Sequence, residues 1–148
     1  MEGNLVAKFF LPLQPKPSNA RKAAIVGGHA RVVQSSAVKS HQAAIAVLAE
    51  QHRPPGGPMD FPLAVSITFV LPRPMSMSKI SKKSGLPLMD PKRDLHASRP
   101  DIDNLTKSVL DGLRSWWVDD SLVQRLAAEK WRAALHEGPG YHIEIRRA

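Results

Sequence analysis

Alternating and helical hydrophobic patterns divide this chain into strands and two main helices. The runs that alternate apolar and polar residues, or concentrate β-branched ones, predict strands at residues 4–13, 30–33, 61–71 and 141–145. Ser35 or Ser36 is a suitable cap for a first helix, which the sequence PPGG at residues 54–57 would end. Strands and helices therefore alternate along one short chain.

A second helix is predicted over residues 101–115. Its apolar residues recur at three- and four-residue spacing, at Ile102, Leu105, Val109 and Leu113. The tryptophans that follow, together with Trp131, lie on apolar stretches, so we expect them in the core or in a dimer interface rather than stacked on bases.

Residues 122–132 are ambiguous, because their apolar positions fit a helix as well as a strand. The turn at residues 138–140 and the short strand after it favour a strand here, paired antiparallel with the last one. With this choice, the sequence predicts an α+β fold. We expect a single domain over residues 1–148, in which two helices pack on a mixed or antiparallel sheet of about four strands.

A long segment without periodicity, residues 72–99, separates the best strand from the second helix. It contains four prolines and seven Lys or Arg against two Asp. A loop of this length is either a disordered insertion or a mobile basic arm that becomes ordered on nucleic acid. In the second case the contacts to phosphate would come from Lys79, Lys82, Lys83, Lys92 and Arg93.

The turn-rich loop at residues 14–22 also has two interpretations. It is either a solvated connection or a loop that faces DNA through Asn19, Arg21 and Lys22. Gly27 and Gly28 predict a hairpin turn after it.

The charge of the chain favours a polyanionic partner. The net charge is +8 and the sequence pI is about 10.2. Residues 1–100 contain 14 Lys or Arg against 5 Asp or Glu, whereas residues 101–148 contain 7 against 8. The first two thirds therefore carry the basic surface, and the last third carries the carboxylates.

The absence of cysteine excludes disulfides and thiolate-bound zinc, and it fits a reducing cytoplasm. No apolar run approaches the roughly 18–20 residues that span a bilayer, so we expect no membrane association. The first residues lack the pattern of a secretory signal.

Carboxylates gather in one stretch of this basic chain, residues 99–121. They are Asp101, Asp103, Asp111, Asp119 and Asp120. A structural interpretation is available for each: acids at a helix start cap free N–H groups, Asp-Asp forms turns, and Lys107 bridges its neighbours four residues away. The alternative is a divalent cation bound by the first pair and by an acid from the turn after the helix, which would relieve the repulsion among them.

The combination of motifs resembles a known family. The stretch PDIDNLTKSVLDGL, followed after a short spacer by DDSLV and an AEK segment, resembles the RusA family of Holliday junction resolvases. The match is closest over residues 99–131 and extends more loosely to the first strand, the first helix and the strand at 61–71. Where some members carry a compact run of arginines before Asp-x-Asp, this chain has Arg99-Pro100 after a much longer loop.

The resemblance implies a homodimeric, Mg²⁺-dependent endodeoxyribonuclease that cuts four-way DNA junctions in symmetric pairs, with Mn²⁺ as a substitute cation. Asp101, Asp103 and Asp120 would be the catalytic, metal-binding carboxylates, and Lys107 would be the essential lysine beside them. Asp111 and Asp119 would support the site, and Arg99 would contact DNA. The resemblance also implies a bacterial cytoplasm, in a phage or prophage context. Two rivals remain: a basic nucleic-acid-binding module without catalysis, and a nuclease for other branched DNA.

Overall fold

The computed structural model describes residues 4–18 and 21–148, with the backbone alone at residues 21–24, 26 and 31–34. Seven strands and two α-helices alternate along these residues. The strands are β1 (Leu5–Leu11), β2 (Arg21–Val26), β3 (His29–Gln34), β4 (Leu63–Leu71), β5 (Asp94–Leu95), β6 (Val123–Arg132) and β7 (Gly140–Arg147), and the helices are α1 (Ser36–Glu50) and α2 (Ile102–Gly112).

Five strands form one mixed sheet in the order β1-β7-β4-β6-β5, and β2 and β3 form a separate hairpin. The predicted α+β class, with two helices in a single small domain, is confirmed. The sheet has five strands rather than about four because residues 94–95, inside the long basic segment, add a two-residue strand to the edge of β6.

The strand predicted at residues 122–132 is confirmed as β6, but its expected partner was wrong. β6 pairs parallel with β4, and β7 lies antiparallel on the other side of β4. The connection from β4 to β6 passes through α2, and a parallel pair needs such a crossover. Because β4 lies between β6 and β7, the last turn joins two strands that are not neighbours in the sheet.

The hairpin turn predicted at Gly27 and Gly28 is confirmed, and both residues have positive φ, at 60° and 80°. Positive φ at both central residues is the conformation that suits a two-residue hairpin loop and favours glycine. The prediction of a loop up to residue 22 was wrong at its end, since β2 begins at Arg21 and pairs with β3 over its whole length.

Both helices cover one face of the sheet, and the core lies between the helices and that face. Ser35 caps α1 as predicted, its Oγ accepting a hydrogen bond from the Val38 backbone N–H at 3.3 Å. The apolar side of α2 is fully buried through Leu105, Val109 and Leu113. None of the helices described is long and apolar enough to cross a membrane.

Gly112 is where α2 comes closest to α1. A Cβ at this position would lie 2.7 Å from Ile45 Cγ2 and 3.3 Å from the Gln42 carbonyl oxygen. Because Ile45 is fully buried and cannot move aside cheaply, the absence of a side chain at residue 112 sets how closely the two helices pack. The position of α2 is thereby fixed against α1 as well as against the sheet.

The long basic segment, residues 72–99, follows a defined path. The Arg73 guanidinium lies among main-chain carbonyls and donates to Asp90 O at 2.6 Å, Met77 O at 3.0 Å and Ala133 O at 3.4 Å. Arg93 forms an ion pair with Glu137, and Arg132 forms one with Asp94. These contacts supply the anchorage that the segment, with little buried apolar surface, cannot supply for itself.

A buried polar group joins the N-terminal loop to α1 and β7. Tyr141 Oη lies 2.7 Å from His41 Nε2 and accepts a hydrogen bond from the Lys16 backbone N–H at 3.1 Å. Burial, reinforced by the nearby Lys16 cation, holds the pKa of His41 below its usual value. Burial also raises the pKa of the Tyr141 hydroxyl. The geometry therefore fits a neutral imidazole whose Nε2 accepts a hydrogen bond from the Tyr141 hydroxyl.

We expect the protein to lose stability as the pH falls from about 7.5 to about 5.5. Unfolded histidine takes up a proton at its ordinary pKa, whereas His41, His96 and His142 all have lowered pKa values in the folded chain, chiefly through burial. The unfolded state then binds more protons, and the free energy of unfolding declines. Urea unfolding at both pH values measures this slope, and His41→Gln should flatten it. An unchanged slope in that variant would remove His41 as a cause.

Candidate active site

Asp101 and Asp103 lie at the start of α2, and the structure shows whether their side chains cap the helix. Asp101 is the N-cap residue, and its carbonyl accepts the Leu105 N–H at 3.1 Å, yet its side chain makes no capping hydrogen bond. Among the side chains that the structure describes, none is a hydrogen-bond or ion-pair partner of the Asp103 carboxylate. Neither side chain therefore caps the helix, but Asp103 lies in the first turn of α2, where its charge complements the helix dipole, so that part of the structural interpretation stands.

Asp103 and Asp120 lie on the wall of one cavity of about 510 Å³ between α2 and β6. Lys107 and Asp111 line the same cavity, one and two turns along the helix from Asp103. The remaining walls are largely apolar and come from Ile102, Thr106, Leu110, Trp117, Val123, Leu126 and Ala128. The α2 crossover thus brings an acid from the helix start and an acid from the turn after the helix to one site.

Trp117 positions Asp120. Its indole Nε1 donates to Asp120 Oδ1 at 3.0 Å, and its ring is almost fully buried. The flanking backbone is pinned to residue 59, because Met59 N–H donates to Trp116 O at 2.8 Å and Val118 N–H donates to Met59 O at 3.0 Å. One oxygen of the Asp120 carboxylate is therefore fixed by a rigid neighbour.

Asp119 has a different task from Asp120. Its Oδ1 accepts the Ser121 N–H at 2.8 Å and caps the short 3₁₀ turn Asp120–Leu122. Hydrogen bonding with the Ser121 side chain, and then with its backbone N–H, holds the pKa of the Asp119 carboxyl below its usual value. The adjacent acids are thus divided between shaping the turn and lining the cavity.

We expect Trp117→Phe to lower the DNA cleavage that the family resemblance implies by about tenfold while the fold survives, because the side chain stays aromatic and the hydrogen bond to Asp120 is lost. The effect should appear in kcat, with KM for DNA little changed. Steady-state cleavage assays measure both, and Trp131→Phe, which loses only a bond to Glu129, is the matched control. Equal losses in the two variants would argue against a positioning role for Trp117.

Lys107 is paired with one of its two neighbouring acids. Its Nζ lies 3.2 Å from Asp111 Oδ2, and the same oxygen accepts a hydrogen bond from Gln42 Nε2 at 3.3 Å. The side chain of Lys107 remains 48% exposed, so its ammonium group can reach solvent in the cavity. Asp111 links α1, α2 and Lys107, which agrees with a supporting role for that acid.

Asp101 faces a neighbouring cavity of about 420 Å³, with Pro17, Arg99 and Pro100. In the described ranges 4–18 and 21–148, no group of three or more His, Asp or Glu side chains is placed to hold a metal ion. The chemistry of the donors nevertheless fits a hard cation, since Mg²⁺ is commonly bound by one or two carboxylates together with water and substrate phosphate. Asp103 and Asp120 supply two such carboxylates, and the three-carboxylate set remains a prediction.

The predicted DNA-binding residues fall into three groups. Lys79, Lys82, Lys83 and Lys92 are exposed, and Arg99 lines the cavity that also contains Asp101. The charge of Arg93 is partly neutralised, because its Nε donates hydrogen bonds to both Glu137 carboxylate oxygens, each at 2.9 Å. Asn19 and the side chains of Arg21 and Lys22 lie outside the described residues.

Two residues beside the site were missed by the sequence reasoning. Lys16 and Arg73 line a cavity of about 500 Å³ with His96 and Arg99, next to the one that contains Asp101. Lys16 lies between two prolines of the N-terminal loop, a spacing that could have drawn attention to it. Arg73 carried no local signal, because its partners are main-chain carbonyl groups and most of them are distant in sequence.

Comparison with known proteins yields one family. The family model described as Endodeoxyribonuclease RusA matches residues 12–146, which is nearly the whole chain. No curated protein matches it.

Proposed function

This chain belongs to the RusA endodeoxyribonuclease family, and on that premise we propose that it is a Mg²⁺-dependent enzyme that resolves four-way DNA junctions in recombination and repair. The single observation that supports the proposal most is the shared cavity of Asp103, Lys107 and Asp120. Two available carboxylates, a lysine and the third acid that pairs with that lysine lie at one opening of a chain of net charge +8, which matches the needs of phosphodiester hydrolysis.

The reaction we propose is the attack of a water oxygen on phosphorus with loss of the 3′ oxygen of the neighbouring nucleotide. Asp103 and Asp120, with Asp101 at the helix start, would hold Mg²⁺, and Mn²⁺ would substitute for it. The bound cation would supply Lewis acidity at the phosphate and a water of lowered pKa. The Trp117 hydrogen bond keeps Asp120 in place, so that little reorganisation is needed when DNA arrives.

Lys107 would act on the charge of the scissile phosphate. Its ammonium group has one carboxylate partner in the described chain, and nearly half of its side chain is exposed to the cavity. A cation at this point opposes the negative charge that builds on the phosphate oxygens in the transition state. In this role Asp111 keeps the lysine extended across the helix surface.

The DNA itself would be held by the basic part of the chain. Phosphate contacts from Arg99 and from the lysines of residues 72–99 would supply affinity without sequence preference. We also propose a homodimer in the bacterial cytoplasm, because a closed two-fold dimer presents one active site to each of two equivalent strands of a junction.

A panel of branched substrates tests this function. Synthetic four-way junctions, three-way junctions, flaps and linear duplex should be incubated with the protein, with Mg²⁺, with Mn²⁺ and with a chelator. We expect paired cuts in four-way junctions with either cation and none with the chelator, and a dimeric mass in sedimentation. Binding without cutting under all conditions would contradict the proposed catalysis, and preferential cutting of flaps would assign a different substrate.

A further inference from the structure

Residues 79–88 form a short projecting hairpin, which we call the finger. Ile80 and Pro87 form an isolated antiparallel bridge, and on either side of it Ser81 N–H donates to Leu86 O at 2.8 Å and Leu88 N–H donates to Lys79 O at 3.0 Å. The finger is the part of the long basic segment that extends beyond its anchorage by Arg73.

The tip of the finger is held by several hydrogen bonds within residues 81–86. Ser81 O accepts the Gly85 N–H at 2.9 Å, and Ser81 Oγ accepts the N–H groups of Lys83 and Ser84, each at 3.3 Å. Gly85 has a φ of 70°, a conformation that glycine adopts without strain. Ser84 Oγ in turn accepts the Leu86 N–H at 3.2 Å. These bonds fix the tip in advance of any contact with a partner.

The finger exposes large apolar side chains beside unneutralised cations. Leu86 and Leu88 are each 64% exposed, and they flank the bridged Pro87 on one arm of the finger. Lys82 and Lys83 are at the tip, and Lys79 lies opposite Leu88. Residues 72–89 contain four Lys or Arg and no acid, so nothing in this segment neutralises those cations.

We propose that the finger is a wedge that inserts Leu86 and Leu88 against bases exposed at the branch point of junction DNA, while its lysines bind the phosphates on either side. The inference rests on the proposed junction substrate. Apolar side chains flanked by cations are what proteins use to unstack and kink DNA, and a branch point costs less to open than a continuous duplex. Charge complementarity selects DNA as the occupant, since an apolar protein surface would gain nothing from the lysines.

The return arm of the finger leads directly to the candidate active site. After residue 88 the chain pairs with β6 at Asp94–Leu95, and Lys130 Nζ then donates to Ser98 O at 2.8 Å and to Pro100 O at 2.7 Å, immediately before Asp101. The twelve residues 89–100, tied to β6 and to Lys130, therefore join the wedge to the start of α2. An inserted wedge would place the scissile strand relative to the carboxylates.

Binding assays in a chelator test the wedge separately from catalysis. Affinity for a four-way junction and for a linear duplex of equal length should be measured for the wild type, for Leu86→Ser/Leu88→Ser and for Val47→Ser. Val47 is a matched control because it is 74% exposed on α1. We expect the double variant to lose about tenfold in junction affinity and little in duplex affinity, and the control to lose neither.

Fluorescence of 2-aminopurine at the branch point gives a second readout. The signal should rise when the wild type binds, because the base is unstacked, and it should not rise with the double variant. Lys82→Ser/Lys83→Ser should weaken junction and duplex binding together and reduce the salt slope by about two. Equal loss of both DNAs in the leucine variant, or a loss of dimer mass instead, would overturn the proposal even if the enzyme cuts junctions.

Discussion

Asp103→Asn is expected to lower the rate of junction cleavage about 10³-fold or more, which corresponds to roughly 4 kcal/mol of transition-state stabilisation. The amide keeps the shape of the side chain but loses the charge that attracts a hard cation. Asp103 has no hydrogen-bond or ion-pair partner in the described chain, so stability should change little. Single-turnover cleavage of a four-way junction, with excess enzyme, measures the rate without interference from product release.

Asp60→Asn is the control for this variant, because Asp60 is an exposed acid that lines a different cavity. Junction binding, measured with the chelator present, should stay within about threefold of wild type in both variants, since removing one negative charge does not weaken attraction to phosphate. Cleavage by Asp103→Asn at the wild-type rate would exclude this carboxylate from the catalytic centre. A parallel loss in Asp60→Asn would indicate a general effect of charge instead.

The second large effect is expected from Lys107→Met, which should lower kcat about 10²-fold and leave KM for DNA nearly unchanged. Methionine retains much of the apolar stem while removing the ammonium group that would oppose charge on the phosphate. The ion pair with Asp111 is lost as well, but a partly exposed pair four residues apart on a helix contributes only about 0.3–0.5 kcal/mol to stability.

Asp111→Asn separates the two roles of Lys107. This variant weakens the ion pair from the other side and leaves the lysine in the cavity, so its kcat should fall by less than about tenfold. If the lysine served only to pair with Asp111, the two variants would have the same small effect on kcat. Thermal unfolding of both variants, measured alongside, shows whether either loss of rate comes from loss of fold.

Local patterns predicted most of the fold. Burial was predicted correctly from the alternation in β4 and from the spacing of Leu105, Val109 and Leu113. In a strand every second side chain faces the core, and in a helix every third or fourth does. The pairing of β6 could not be read in this way. Strand neighbours depend on the α2 crossover, which places β6 beside β4 and leaves β7 on the other side of β4, paired also with β1.

The candidate site was predictable as a set of residue types but not as a geometry. The spacing of Asp103 and Lys107 follows from the helical period, so their common face was foreseeable. The placement of Asp120 on the same cavity as Asp103 depends on its hydrogen bond with Trp117 and on backbone bonds to Met59, which is distant in sequence. The ordering of residues 72–99 by Arg73 could not be predicted either, because its partners are backbone carbonyl groups, which every residue type has.

The two bonds from Lys130 to the carbonyls of Ser98 and Pro100 make the preceding segment modular. Because these bonds hold the chain immediately before α2, we expect a change in the length or composition of the earlier residues not to displace the helix. Surface insertions cost little in free energy as they lengthen. We therefore expect residues 72–97 to tolerate changes in length and sequence while α2 keeps its place.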